Sequence, residues 1–550
     1  MQSRTVNPEI EDVLDLTPQQ EGLVFHSVVG EGSGTYVVQQ LFWAEGKEGA
    51  PMQLPAVRAA VSALGRRHGA LRAAFVTEGV VRPRQVLLRN RRPEFIEVTL
   101  ATAGSGENPA TLDEVMRADL ERSFDLARDP LLRVTAVELP GVGRLALIWT
   151  YHHTIVDGWS LSQLFADFRR YYELALTMGP EHVEERAAAD ERSSLHYRDY
   201  VAWLSKRDDQ TFTEYWSGLL DGFQGHSMLS NTRPDRGEAT SDSERWVYTT
   251  DNGIAAALEK RFATRGATMA ALLESALAIT LGRVGGVDDV VFGKVTSGRD
   301  IPIEGVLDLV GLLVNVVPVR LRTSPDMSAF TLIEQARTQA LDSSLHAYGP
   351  LASIQSLVED RKVFECLLAV ENFELEDSEI DDAGLSFGRA REETNYPLTA
   401  TVQPVGGELR FVHLYDPTLL SETDVETITR HLVQVLESFL ASDESTLIGD
   451  IDTMSPGERE LVASFESTAS VGIRDASVGE AYLRSAAEHP DAVALADARG
   501  ELTHAETLSR ASSLGAALRE AIAPGDRVGI VGGPDNNLII GILAIILADG

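Results

Sequence analysis

The sequence predicts an α/β protein of more than one domain, and three observations predict it. Apolar runs that read as strands alternate with runs of helical period, the pattern of mixed α and β layers. At 550 residues the chain is too long for one hydrophobic core. A composition of 44% hydrophobic and 24% charged residues is that of a globular protein.

The elements follow in order. Residues 13–28 (VLDLTPQQEGLVFHSV) open a folded unit, with Thr17 placed to cap a helix, Pro18 at its first position and Gln20 at the capping-box position. Pro55 to Arg67 and Leu112 to Arg122 read as helices. Leu145 to Tyr151 and Asp289 to Phe292 read as strands. From Gly179 to Ser194 the chain turns acidic and Ala-rich (GPEHVEERAAADERSS), which predicts an exposed connector between two halves. A second series of strands and helices runs from about Trp246 to Leu440. Ser455-Pro456 predicts the start of another short helix, and residues 464–478 a polar, Ser-rich linker. The expected boundaries are 1–180 and 181–455 for two lobes, 456–477 for a linker and 478–550 for a third unit. No repeat with a period of about 20–50 residues occurs.

Charge and cysteine content exclude several classes. The 48 basic and 83 acidic residues give a formal charge of −35, which argues against a nucleic-acid binder. Arg89 to Arg92 and Arg361-Lys362 are local basic spots, read first as solvated faces. The single cysteine, Cys366, rules out an intramolecular disulfide and a cysteine-rich metal cluster, and fits a reducing, cytoplasmic setting. The N-terminus MQSRTVNPEIEDV lacks the apolar segment of a signal peptide. The run Leu538 to Leu547 is too short to span a bilayer and reads as a buried helix, so no membrane association is expected.

The stretch richest in chemistry is His152-His153-Thr154-Ile155-Val156-Asp157-Gly158. Alternation along the preceding strand puts Leu145, Leu147, Trp149, Tyr151 and His153 on one face and His152 on the other. Only one imidazole can then face a given substrate. Beyond Gly158 the period becomes helical, at Leu161, Leu164, Phe165, Phe168 and Tyr172. A histidine in a turn between strand and helix is placed for proton transfer or hydrogen bonding to a reacting group. The competing readings are a structural pair hydrogen-bonded in a core and a metal site. Adjacent, oppositely directed rings without cysteine ligands disfavour the metal. Asp157 lies in an apolar segment and needs a cationic partner if buried, for which Arg299 is one candidate. Gly158, lacking a side chain, lets its N–H approach a reacting oxygen. Arg67 and Arg72, placed in the early helix, read as bracing the active-site strand or as functional groups. Tyr200 and Trp203 read as core aromatics, and Asn315 as ordering a crossover between the lobes. Cys366 reads as a buried, inert thiol.

At this point a resemblance becomes specific. HHTIVDG matches the HHxxxDG signature of condensation domains of nonribosomal peptide synthetases. Residues 67–75 (RHGALRAAF) are similar to the family's RHxxLRxxF, and residues 197–203 (YRDYVAW) resemble YxDYxxW. Residues 310–315 (VGLLVN) resemble VGxFxN, with Leu313 where Phe is common. Residues 346–351 (HAYGPL) and 395–398 (NYPL) fit two later motifs more loosely, so the resemblance covers about residues 13–453. In the tail, residues 502–508 (LTHAETL) resemble the LTYxEL motif that opens adenylation domains, with His504 in place of Tyr. Pro524 to Val528 and Leu547 to Gly550 resemble further pieces, and no TSGSTGxPKG phosphate loop occurs. The expectation is a piece of a larger synthetase, ending in a truncated adenylation fragment that does not itself activate an amino acid.

The resemblance implies two lobes of α+β sandwich type, like chloramphenicol acetyltransferase, joined in a V-shaped pseudo-dimer. It implies amide formation, in which the amine of an acceptor aminoacyl thioester attacks a donor thioester. Both thioesters hang on the 4′-phosphopantetheine of donor and acceptor peptidyl carrier proteins. The chain itself is expected to bind no cofactor and no metal, and to work as a monomer with other synthetase domains in cis. His153 is the ring expected in the tunnel, as general base or as a group that orients the amine. Gly158 N–H would stabilise the oxyanion, while Asp157 and His152 would hold the motif in shape. Trp159, Arg67, Arg72, Arg299, Asn315 and Cys366 are the expected structural or tunnel residues. An epimerisation domain, a catalytically silent recruiting domain and a free-standing acyltransferase are the alternatives. The intact motif and the adenylation-like tail speak against them. The start LTPQQEGLVFHS resembles the subtype that takes a D-configured donor residue more than the all-L subtype.

Overall fold

A computed structural model describes residues 9–29, 36–46, 52–100, 111–139, 144–192, 194–224, 229, 243–358, 363–371, 384–466 and 477–548. In chain order its elements begin with β1 (Ile10–Asp15), α1 (Pro18–Val29), β2 (Val37–Ala44), α2 (Leu54–Arg67), β3 (Ala73–Val76) and β4 (Arg84–Leu88). Then come β5 (Glu94–Thr99), α3 (Leu112–Glu121), β6 (Leu132–Glu138), β7 (Leu145–His152), α4 (Gly158–Met178) and α5 (Val183–Arg192). The second half continues with α6 (Tyr197–Leu204), α7 (Asp209–Leu220), β8 (Glu244–Thr249), α8 (Ile254–Phe262), α9 (Met269–Gly285), β9 (Asp289–Thr296) and β10 (Asn315–Arg322). It ends with α10 (Ala329–Ser344), α11 (Leu351–Gln355), β11 (Cys366–Val370), β12 (Leu385–Arg391), β13 (Leu398–Val405), β14 (Glu408–Tyr415) and α12 (Glu422–Ala441).

Two sheets organise this first unit, Met1–Pro456. The five-stranded sheet has the order β12-β2-β7-β6-β5, antiparallel except for β5 with β6. Helices α2 and α4 cover one face, where Phe42, Leu147 and Trp149 pack with Val61, Phe165 and Phe168. On the other face Leu41, Ala146 and Ile148 pack with Met116 of α3. Every residue of β7 is therefore buried, which is why it reads as a continuous apolar run. The six-stranded sheet has the order β10-β9-β11-β13-β14-β8, with β11 parallel to both its neighbours. Helices α8, α9, α10 and α12 cover one of its faces with a core that includes Phe262, Leu277, Phe292, Phe411 and Leu436.

The capping box forms as the sequence predicts. Thr17 N–H donates to Gln20 Oε1 at 3.0 Å, and Gln20 N–H donates to Thr17 Oγ1 at 3.3 Å. Strand β9 runs on to Thr296, past the expected end at Phe292, because β10 pairs with it along its whole length, from Asp289 opposite Arg322 to Thr296 opposite Asn315. The expected exposed connector at 179–194 is instead the helix α5. Val183 and Ala187 fall one turn apart and pack into the first core. Its buried carboxylates are met by cations, Glu191 by Arg66 and Arg72, and Asp190 by Arg170 and Arg186. The two halves also exchange a strand. Strand β12, from the second half, pairs with β2 of the first, Phe387 opposite Phe42.

The second unit spans Gly457–Gly550. Helix α13 (Pro456–Glu466) occupies the start of the expected linker, and residues 467–476 lie outside the described residues. Helix α14 (Val478–Glu488), the hairpin β15 (Val493–Asp497) and β16 (Gly500–Thr503), α15 (His504–Leu518) and α16 (Asn536–Leu547) follow. Leu502, Ala511, Ile540 and Leu543 form their small core, and Thr503 and Glu506 form a capping box at the start of α15. Among the described residues no single helix is long and apolar enough to cross a membrane, and no group of His, Cys, Asp and Glu could hold a metal ion.

Candidate active site

Strand β7 ends at His152, and the two histidine rings leave it in opposite directions. His152 is buried: its Nε2 lies 3.1 Å from the Ser27 hydroxyl, which itself donates to Leu23 O. Its Nδ1 accepts from Thr154 N–H at 3.3 Å and lies 2.9 Å from the Thr154 hydroxyl. These partners fit a neutral ring with its proton on Nε2. Burial, followed by the neighbouring charge of His153, pushes its pKa down to about 3. His152 is thus a structural ring that fastens the turn to α1. Gln20 fastens the same turn from the same helix, donating to Thr154 O at 3.0 Å.

His153 faces a cavity of about 740 Å³ between the two halves. Its side chain is 25% exposed, and its Nε2 lies 3.9 Å from Glu392 Oε1, beyond hydrogen-bonding distance. Its Nδ1 is enclosed with no hydrogen-bond partner among the described residues. Its backbone N–H donates to Tyr36 O at 2.8 Å. Tyr36 has φ 66°, the left-handed region that a non-glycine residue seldom adopts. Its hydroxyl, whose pKa burial raises to about 12, accepts from the Asn395 amide on the other half. Tyr36, Tyr151, His153, Gly158, Trp159 and Asn395 all line the cavity.

Asp157 holds the turn. Its carboxylate is fully buried and caps α4, accepting from Ser160 N–H at 2.9 Å and from the Ser160 hydroxyl at 2.8 Å. The Arg299 guanidinium meets it with both arms, at 2.9 and 3.0 Å. Leu313 N–H and Val314 N–H complete the shell at 2.9 and 3.2 Å. The loop that supplies these groups depends on two glycines. A Cβ at Gly298, where φ is +66°, would lie 1.9 Å from Leu313 O, and one at Gly311 would lie 2.3 Å from the Tyr197 ring. Gly158 is the first residue of α4, so its N–H has no intrahelical acceptor, and the residue lines the cavity with His153 at the positive end of the helix.

The remaining expected residues lie elsewhere. Arg72 sits in the short 3₁₀ turn Gly69–Arg72 rather than in the early helix. Its guanidinium is fully buried on Glu11, Glu191 and the carbonyls of Gly65 and Arg66, so it braces α5 and β1 rather than β7. Arg67 bonds Asp190 O, and neither arginine lines the His153 cavity. Asn315 orders no crossover between lobes: its amide donates to Ala347 O and Gly349 O, at 2.8 and 2.7 Å, within the second half. Cys366 faces the second core, not the tunnel, because alternation along β11 gives the cavity to Leu367 and Ala369. Burial pushes its thiol up to about 12. Arg91 is not a solvated face, since it donates to the carbonyls of Ala73, Ala127, Arg128 and Asp129. Arg361-Lys362 lies outside the described residues. Sequence reasoning missed Tyr36, Glu371, Glu392, Gln403 and the arginines Arg245 and Arg410 of the cavity wall. A glutamate closing the apolar run CLLAV was the one available signal for Glu371.

The family model described as Condensation domain matches residues 10–462, and that of AMP-binding enzyme matches residues 482–550. Over 98% of its length the chain is 30% identical to a linear gramicidin synthase of Brevibacillus parabrevis and 27% identical to a mycosubtilin synthase of Bacillus subtilis. It spans 7% and 20% of the lengths of those two proteins. Among solved structures, a four-domain nonribosomal peptide synthetase bound to AMP and glycine matches 100% of this chain, over 42% of its own length, with TM-score 0.68 and 17% identity. The first condensation domain of the calcium-dependent antibiotic synthetase, in complex with a substrate analogue, matches 81% of this chain and all of its own length, with TM-score 0.62 and 16% identity.

Proposed function

The chain belongs to the condensation domain family, and on that premise we propose that its first unit forms peptide bonds between two tethered substrates. The amine of an acceptor aminoacyl thioester attacks the carbonyl of a donor thioester, the C–N bond forms, and the donor thiolate leaves and takes up the proton. Each thioester is carried on the 4′-phosphopantetheine of a partner carrier protein. The chain acts as a monomeric, cytoplasmic domain in cis with other synthetase domains and supplies no cofactor of its own.

The observation that carries this reading is the His153 ring in the wall of a cavity between the halves, with Gly158 at a helix start beside it. An α-amine has a pKa of about 8, so a sizeable fraction is unprotonated near neutrality and the catalytic demand is modest. Holding amine and thioester together away from water supplies much of the rate. His153 accepts the amine proton or orients the amine by a hydrogen bond, and Gly158 N–H stabilises the developing oxyanion. Asp157 and His152 act through the position of these two groups. The AMP-binding match that follows supports condensation over epimerisation, because condensation domains commonly precede adenylation domains. The stretch LTPQQEGLVFHS supports a D-configured donor residue.

The test is a reaction between two loaded carrier proteins, with the peptide detected by intact mass on the acceptor. Product that forms with wild type and fails with His153→Ala supports the reading. Racemised donor with no new amide sinks it. Pairing D- and L-configured donors in the same assay decides the subtype.

A further inference from the structure

One face of the six-stranded sheet forms a wall of the cavity, and strand register sets three polar side chains in one transverse row there. Val370 of β11 pairs with Val402 of β13, and Gln403 of β13 pairs with Arg410 of β14. Glu371 follows Val370, and its N–H donates to Val402 O at 3.0 Å. Glu371, Gln403 and Arg410 thus stand side by side, all lining the cavity. The Gln403 amide donates to Glu371 Oε2 at 2.7 Å and fixes the carboxyl. Among the described residues no ion pair joins Glu371 to a basic side chain. The two nearby guanidiniums, Arg410 and Arg245, are on β14 and β8, the outer two strands, whereas β11 is central.

The Glu371 carboxyl is costly to ionise where it stands. Burial pushes its pKa up to about 7, against the lowering pull of the Gln403 bond and with the like charge of Glu392 adding to the rise. An ionised carboxyl half-buried in a cavity wall without a cation is a cost, and one that a ligand's cation relieves. Its neighbours on the wall, Ala369 and Thr401, are small, so a side chain can reach it. Tyr151, two residues before His153, and Glu392 line the same cavity as Glu371.

We propose that Glu371, oriented by Gln403, is a specificity-determining residue of this cavity and selects a substrate residue whose side chain carries a positive charge. The inference rests on the reading of the cavity as the condensation chamber. An aliphatic isostere would leave the carboxyl unpaired and be rejected on that account.

Binding tests it without turnover. Non-reacting, amide-linked aminoacyl-pantetheine analogues carrying ornithine, or its neutral isostere norleucine, are titrated into the full chain by calorimetry, with the α-amine free and acetylated. In at least one of the two forms the ornithyl analogue is expected to bind about tenfold tighter or more. Glu371→Gln is expected to bring the ratio to about one with an undiminished melting temperature, and Gln403→Leu, which frees the carboxyl, to narrow it. Equal wild-type affinities in both forms would overturn the proposal, as would a Glu371→Gln variant that weakens both analogues alike. A chain that discriminates the analogues yet forms no peptide would overturn the condensation reading and leave the selectivity standing.

Discussion

Asp157 and Arg299 lie 142 residues apart in sequence and meet in a two-armed ion pair at 2.9 and 3.0 Å, both nearly inaccessible to water. The same carboxylate caps the helix that begins with Gly158 and accepts the N–H groups of Leu313 and Val314. One side chain therefore sets the helix start beside His153 and anchors the second half's loop behind it. A buried ion pair of this kind adds little net stability, but removing one partner strands the other.

Asp157→Ala is accordingly expected to cost about 3–5 kcal/mol, read by urea unfolding monitored by tryptophan fluorescence. The paired replacement Asp157→Leu with Arg299→Met should recover much of that loss, because no charge is left behind. A single variant as stable as wild type would show that the pair does not carry the loop.

His153→Ala should lower the rate of amide formation by about 10²–10⁴-fold if the ring acts as a base, with the melting temperature unchanged. His153→Gln separates the two roles open to it. A variant that keeps most of the rate marks a hydrogen-bonding ring, whereas one as slow as alanine marks a proton acceptor.

His152 makes a statement about pH. Its folded pKa, about 3, lies below the ordinary 6.5, so the unfolded chain binds a proton that the folded chain refuses. The resulting stability is complete above pH 6.5 and is lost as pH falls through the window down toward 3. Buried His413, lowered to about 4, contributes in the same sense. Thermal melts from pH 7 downward should therefore fall less steeply for His152→Gln than for wild type, and parallel curves would refute the neutral, structural ring.

Cys366 should resist iodoacetamide in the folded chain and react once in denaturant, as mass spectrometry would show. Burial holds its thiol near 12, and it faces the core. Rapid labelling of the native chain would mean that β11 presents its other face to the cavity.

Much of this was legible in one dimension because it depends on period. The opposed histidines follow from alternation along β7, and the Thr17 capping box from residue type and spacing. The partner of Asp157 could be named only as a candidate, since pairing across 142 residues leaves no local trace. Composition misled at 179–194, where carboxylates that look solvated are buried against Arg66, Arg72, Arg170 and Arg186. The cavity wall was hidden for another reason. Glu371, Gln403 and Arg410 become neighbours only through the register of three strands, which no single segment encodes.

Strand β12 has a practical meaning for anyone cutting or recombining this protein. Residues 385–391 complete the outer edge of a sheet whose other members all lie before residue 153. A fragment ending near residue 180 would expose β2, with its unpaired N–H and C=O groups, as a sticky template for aggregation. A chimera that swaps one lobe must therefore carry this distant ribbon along with the lobe it closes.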